Sequence, residues 1–114
     1  DVYKRQVEDS ALVDVLVERQ VPLEVCPTSN LRTGVVADWE SHPVIELVER
    51  GACVTISSDD PTYFECSLAD DLREVASRSD LDVERHTDLA IDASFADGAT
   101  RRRLAEEVRA WWGR

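Results

Sequence analysis

The sequence predicts an α/β fold with parallel strands, and three observations predict it. Apolar residues alternate along the chain between helical spacing and short β-branched runs, in the order helix, strand, helix, strand, helices. The run "ACVTIS" at residues 52–57 is almost continuously apolar, as a parallel strand covered on both faces requires. Each strand stops at a polar, turn-rich segment, "CPTSN" at 26–30 and "SSDDP" at 57–61. In α/β barrels the functional residues sit at such C-terminal strand ends. Two strands cannot bury both faces of a sheet, so the expected setting is a larger α/β barrel of which this chain is an incomplete portion.

Taken in order, "EDSALVDVLVER" predicts a helix over 8–19, with Ala11, Leu12, Val15 and Leu16 on its apolar face and acids in its first turn. "VPLEVCP" predicts a strand over 21–26, ended by Pro27 and a polar loop, "TSNLRTG". The next helix is expected over 41–50: Ser41 as cap, Pro43 in the first turn, Val44, Ile45, Leu47 and Val48 as the apolar face, and Gly51 as the stop. After the second strand, Ser67 and Asp70 form a capping box ahead of Leu68, Leu72 and Val75. Two more helices are expected over 83–94 and 100–112, the last packed down through Leu104, Val108, Trp111 and Trp112. No repeat or low-complexity linker divides the chain. Residues 1–6, "DVYKRQ", fit poorly with the rest of the chain and are read as a sequencing-adapter artefact, leaving 7–114 as the domain segment.

Bulk properties exclude several function classes. Of the 114 residues 43 % are hydrophobic, compatible with a globular core, and the formal net charge is −11. A chain so acidic lacks the basic footprint that displaces counterions, so nucleic acid is excluded as a polymeric partner. No apolar run reaches the 18 or so residues of a membrane span and no secretory pattern opens the chain, so the expectation is a soluble, cytoplasmic protein. Cys26, Cys53 and Cys66 suit neither a disulfide framework nor a CxxC metal knuckle, and are expected as reduced thiols.

The adjacent carboxylates Asp59 and Asp60 carry the main functional question. Locally, Asp-Asp-Pro is common turn composition, and either residue could cap the turn or helix beyond it. Acids placed directly after a buried strand are costly unless something cationic or hydrogen-bonding compensates them, and a divalent metal does so well. Either Asp59 or Asp60 is thus a candidate metal ligand, and both are candidate catalytic residues.

Three stretches together carry a resemblance: "LEVCPTSNLRTG" at 23–34, "HP" at His42 and Pro43 ahead of a helix, and "VTISSDDPTYF" at 54–64. With "ASF" at 93–95, they resemble the C-terminal third of the adenosine deaminase family, from about Val7 to the end of the chain. The resemblance implies a (β/α)8 barrel, of which the two strands would be the last two, and zinc-dependent deamination of adenosine, with adenine or another aminopurine as the alternative substrate. It implies that Asp59 is a zinc ligand that also contacts the metal-bound hydroxide attacking C6 of the purine, and that Asp60 hydrogen-bonds purine N7. N7 only accepts, so Asp60 must hold a proton in order to donate to it.

The family draws its remaining zinc ligands from histidines, two of them in a His-x-His pair, and uses a catalytic glutamate and a further histidine. None of these is in this chain. A catalytic zinc needs about three protein ligands, so the 114 residues by themselves are expected to be inactive. His42 is read as a helix-start packing or capping residue and His86 as solvated on a charged helix. Cys26 has no partner histidine placed beside it and is read as a structural thiol rather than a nucleophile. Ser57 and Ser58 lack the Gly-x-Ser-x-Gly elbow of a hydrolase, and "CPTSN" does not match the H-x-E with P-C-x-x-C signature of cytidine-type zinc deaminases. Arg101, Arg102 and Arg103 read as a solvated face balanced by Glu106 and Glu107. The reading of a different class is a non-catalytic helical interaction module that keeps barrel-derived sequence.

Overall fold

A computed structural model describes residues 9–113; the segment read as an artefact, 1–6, lies outside the described residues. These residues form two compact units divided between Leu81 and Asp82. In the first, helix α1 (Ser10–Arg19) leads to strand β1 (Leu23–Val25), helices α2 (Pro27–Arg32) and α3 (Pro43–Glu49), strand β2 (Val54–Ile56), the short helix α4 (Pro61–Phe64) and helix α5 (Leu68–Arg78). The second holds α6 (Val83–Ala93) and α7 (Gly98–Trp112), packed on each other.

The strands pair in parallel, with Leu23 opposite Val54, Glu24 opposite Thr55 and Val25 opposite Ile56. Parallel neighbours place both C-terminal ends at the same edge, so "CPTSN" and "SSDDP" emerge side by side. The α/β class and the parallel pairing are as the alternation of patterns predicts. Alternate residues of both strands are buried with Val13, Val44, Leu47 and Val75 in one core, which packs α1, α3 and α5 around the sheet.

Several expectations are corrected. The apolar face of α1 is rotated: Val13 is fully buried and Leu16 and Val17 pack beside it, while Leu12 and Val15 are exposed. The helix is apolar on two adjoining faces, and periodicity cannot say which one meets the sheet. The polar segment after β1 is not a loop but begins with α2. Pro27 at its first turn suits a helix start, yet Cys26 makes no side-chain cap there, and the Thr28 N–H is instead taken by the Asp71 carboxylate at 3.0 Å. That acceptor lies 43 positions away, so no local pattern reveals it. His42, not Ser41, caps α3: its Nδ1 accepts from the Val44 N–H at 3.1 Å, while the Ser41 N–H and hydroxyl both donate to Asp38 Oδ1. The packing-or-capping reading of His42 holds, and its ring, 2 % exposed, stacks on Trp39 with centroids 5.7 Å apart.

His86 is buried rather than solvated, at 3 % exposure. Val83, Leu89 and Ala90 stand three and four positions from it, so it lies on the apolar stripe of α6 rather than among Glu84, Arg85 and Asp88. Last, Trp111 is 84 % exposed and Trp112 is exposed as well, although Leu104 and Val108 are half-buried as expected. α7, with 15 residues, is about a turn longer than the 11-residue α6 it packs on, and both tryptophans stand in its last turn.

Candidate functional site

The site is built at the strand ends. β2 stops at Ile56, and three residues on Asp59 adopts a left-handed backbone, φ 60°. Aspartate tolerates that region better than most residues, but it is still a cost that local structure must hold in place. The turn sends the two adjacent carboxylates to different partners. Asp59 Oδ2 accepts from the Ser29 hydroxyl at 2.8 Å, which ties the segment after β2 to the first turn of α2 after β1. Asp60 Oδ1 accepts from the Tyr63 N–H at 2.8 Å and caps α4, with Pro61 at its first turn. Both aspartates are exposed. The repulsion expected of neighbouring carboxylates is thus offset by one hydrogen bond to each, and each bond engages only one oxygen.

Behind this edge lies a buried polar layer. Ser29 is 5 % exposed, so its hydroxyl approaches Asp59 from within the protein. Asp71, on α5 and 1 % exposed, takes both the N–H and the hydroxyl of Thr28 on Oδ1, at 3.0 and 2.6 Å. On the other side of the α2 start, the Pro27 carbonyl faces the His42 ring and favours its protonation, without a well-formed hydrogen bond to Nε2. Burial outweighs that contact and pushes the His42 pKa down to about 4, so the ring is neutral and Nδ1 is free to cap.

Cys26 sits beside the same edge. Burial, and then the nearby charges of Asp59, Glu24 and Asp71, push its thiol up to about 11. It stays protonated at neutral pH, which agrees with the structural-thiol reading and disfavours a nucleophile. Cys53 is buried and Cys66 half-buried, and none of the three is in a disulfide.

Sequence reasoning names Asp59 and Asp60 but misses Ser29, Thr28 and Asp71. Ser29 lies inside the "CPTSN" motif, which gives it no role of its own. Asp71 does carry a signal: it stands three residues after Leu68 and four before Val75, an acid on the apolar stripe of an amphipathic helix.

The family model for adenosine deaminase matches residues 4–111. The chain belongs to the adenosine deaminase family. Among its relatives within that family, an adenine deaminase of Sinorhizobium fredii is 49 % identical over 104 residues, covering 88 % of this chain and 32 % of that protein. An aminodeoxyfutalosine deaminase of Streptomyces coelicolor is 41 % identical over 104 residues, covering 89 % of this chain and 27 % of that one. The crystal structure of an adenine deaminase from Arthrobacter aurescens matches with a TM-score of 0.81 at 34 % identity, over 96 % of this chain and 35 % of that chain. The chain therefore spans about a third of the length of these deaminases, and its two-stranded α/β fold is that portion of their (β/α)8 barrel.

For the metal that the family implies, the donor set fits in part. Asp59 is an exposed carboxylate at a C-terminal strand end with one oxygen already oriented by Ser29. Among the described residues no group of three His, Cys, Asp or Glu side chains converges on a point that could hold a metal. Asp59 suits one ligand of such a site and no more.

Proposed function

We propose that the protein of which this chain forms about a third is a zinc-dependent aminopurine deaminase, and that it acts on adenine in preference to adenosine. The observation that carries the reading is the Ser29–Asp59 hydrogen bond, which joins the two motifs at adjacent C-terminal strand ends. In barrels of this kind that edge is where chemistry is performed. The preference for adenine rests on the adenine deaminases of Sinorhizobium fredii and Arthrobacter aurescens among its relatives.

In this reading Asp59 contributes one zinc ligand, and the remaining ligands come from outside the described residues. Zinc, when bound, supplies a water acidic enough to be hydroxide near neutral pH. Replacement of the C6 amino group by the oxygen of water would release ammonia and leave a 6-oxopurine. Ser29 donates to one Asp59 oxygen and so leaves the other for the cation. Asp60 can do two things at once: Oδ1 accepts the Tyr63 N–H, and Oδ2 is left to face N7 of the purine. That division places N7 next to the start of α4.

The test uses the full-length protein, with zinc content and ammonia release from adenine and adenosine measured together. Zinc-dependent release with the larger kcat/KM on adenine is expected. A larger value on adenosine would reverse the substrate assignment, and no release from any aminopurine would favour the non-catalytic interaction module.

A further inference from the structure

Asp71 is the most deeply buried acid of the described residues, and its arrangement is poorly suited to mere packing. Its Oδ1 takes both hydrogen bonds from Thr28, at 3.0 and 2.6 Å, while its Oδ2 is buried with no hydrogen-bond partner among the described residues. Removing a carboxylate from water costs several kcal/mol as an order of magnitude, and a half-satisfied one recovers only part of that. A serine or asparagine could satisfy the Thr28 N–H at a smaller desolvation cost. The carboxylate is instead a strong, short acceptor, and both of its bonds go to a single residue.

That residue is the head of α2. The helix has six residues, no side-chain cap from Cys26, and a first turn in which Thr28 directly precedes Ser29. Asp71 thus fixes Thr28, the backbone carries that constraint one residue on to Ser29, and Ser29 donates to Asp59 Oδ2 at 2.8 Å. α5, the helix that bears Asp71, is itself anchored by Val75 in the core. We propose that Asp71 is a positioning residue for the strand-end site: through Thr28 it sets the placement of Ser29, and so decides which oxygen of Asp59 is left for a cation. The functional part of this proposal rests on the deaminase reading above.

The test is made in the full-length protein with Asp71→Ala, Thr28→Val and Thr28→Ser. Zinc affinity is read by competition with a chromogenic chelator, kcat and KM on adenine, and the Ser29–Asp59 distance by crystallography. Outer partners of metal ligands typically change metal affinity by about 10- to 100-fold. Asp71→Ala is expected to weaken zinc at least tenfold and lower kcat with little change in KM, with the Ser29–Asp59 bond broken. Thr28→Val, which loses one of the two bonds, is expected to fall between it and the wild type, and Thr28→Ser, which keeps both, to stay close to the wild type. A variant that only melts earlier, with zinc affinity and the Ser29–Asp59 bond intact, overturns the proposal. If Asp71→Ala does not fold, equal zinc affinity in Thr28→Val and Thr28→Ser overturns it. A wild-type protein that holds no zinc and deaminates nothing defeats the functional reading, whereas a broken Ser29–Asp59 bond in the variant still identifies Asp71 as the group that positions the pair.

Discussion

Asp59 combines a left-handed backbone with an exposed carboxylate, a pairing that stability alone does not favour. Glycine adopts φ 60° without the Cβ penalty of roughly 1 kcal/mol. Asp59→Gly is therefore expected to unfold no more readily than the wild type in urea while losing zinc from the full-length protein. A clear drop in midpoint would mean that the Ser29 bond outweighs the backbone cost. Asp60→Ala is expected to keep the metal and lower turnover, since its carboxyl meets the substrate rather than the cation in the proposed site. Zinc content that falls with Asp60→Ala as far as with Asp59→Ala would merge the two roles. His42 sets a pH dependence. Its folded pKa, about 4, lies below the ordinary 6.5, so the folded state takes up the proton less readily than the unfolded chain. The stability it contributes is fully present above pH 6.5 and is lost as pH falls through the range down to about 4. The loss is on the order of 3 kcal/mol, and protonation of Nδ1 also removes the cap on α3. Burial lowers the His86 pKa too, which acts in the same direction. Replacing His42 with asparagine, a side chain that caps without titrating, is expected to flatten the acid limb of a denaturant-midpoint profile.

At the scale of elements, most helix starts are written locally. Ser67 takes the Asp70 N–H at 3.1 Å at the start of α5, Asp97 takes the Ala99 and Thr100 N–H groups at 2.9 Å each at the start of α7, and Asp82 those of Glu84 and Arg85 at the start of α6. Ser67→Ala is expected to cost about 1 kcal/mol in urea denaturation. Two residues beyond α3 stands Gly51, whose φ of +80° no β-carbon occupies comfortably even though space is open around it. Gly51→Ala is accordingly expected to cost about 1 kcal/mol, from backbone strain and not from a clash. α2 is the exception among these elements. Its start depends on a side chain from α5, so it is the helix whose hydrogen-exchange protection should fall first when α5 is weakened. Arg103 and Glu107, 2.7 Å apart on α7, are the exposed pair the charge pattern predicts, and such pairs add little to stability.

At the scale of the molecule, the sheet of the described residues has two strands, and large apolar side chains are exposed. Leu12, Val15 and Val21 in the first unit, and Phe95 and Trp111 in the second, are exposed. A parallel sheet is stable when both faces and edges are covered, and among the described residues each strand has one pairing partner. The isolated 114 residues are therefore expected to bind a hydrophobic dye and to melt over a broad range rather than in one cooperative step. A sharp two-state transition without dye binding would show that the described core suffices. No helix among the described residues is long and apolar enough to cross a membrane.

What the sequence determined alone rests on local physics. The alternation of helical and strand patterns specified parallel α/β structure, and the strand-end motifs named candidate site residues on both sides of one sheet edge. Asp60 as a cap could be read from "DDP", and α5 from Ser67, Leu72 and Val75, because these features depend on residues close to one another along the chain. Tertiary structure decided what depends on distant partners. Which face of α1 is buried was settled by the sheet it meets, and the burial of His86 by the stripe it joins. That "CPTSN" begins a helix was settled by Asp71, 43 positions along the chain. The same holds for the pair at the centre of the candidate site. Ser29 and Asp59 are 30 residues apart in sequence, and only the parallel pairing of β1 with β2 brings a hydroxyl and a carboxylate within 2.8 Å.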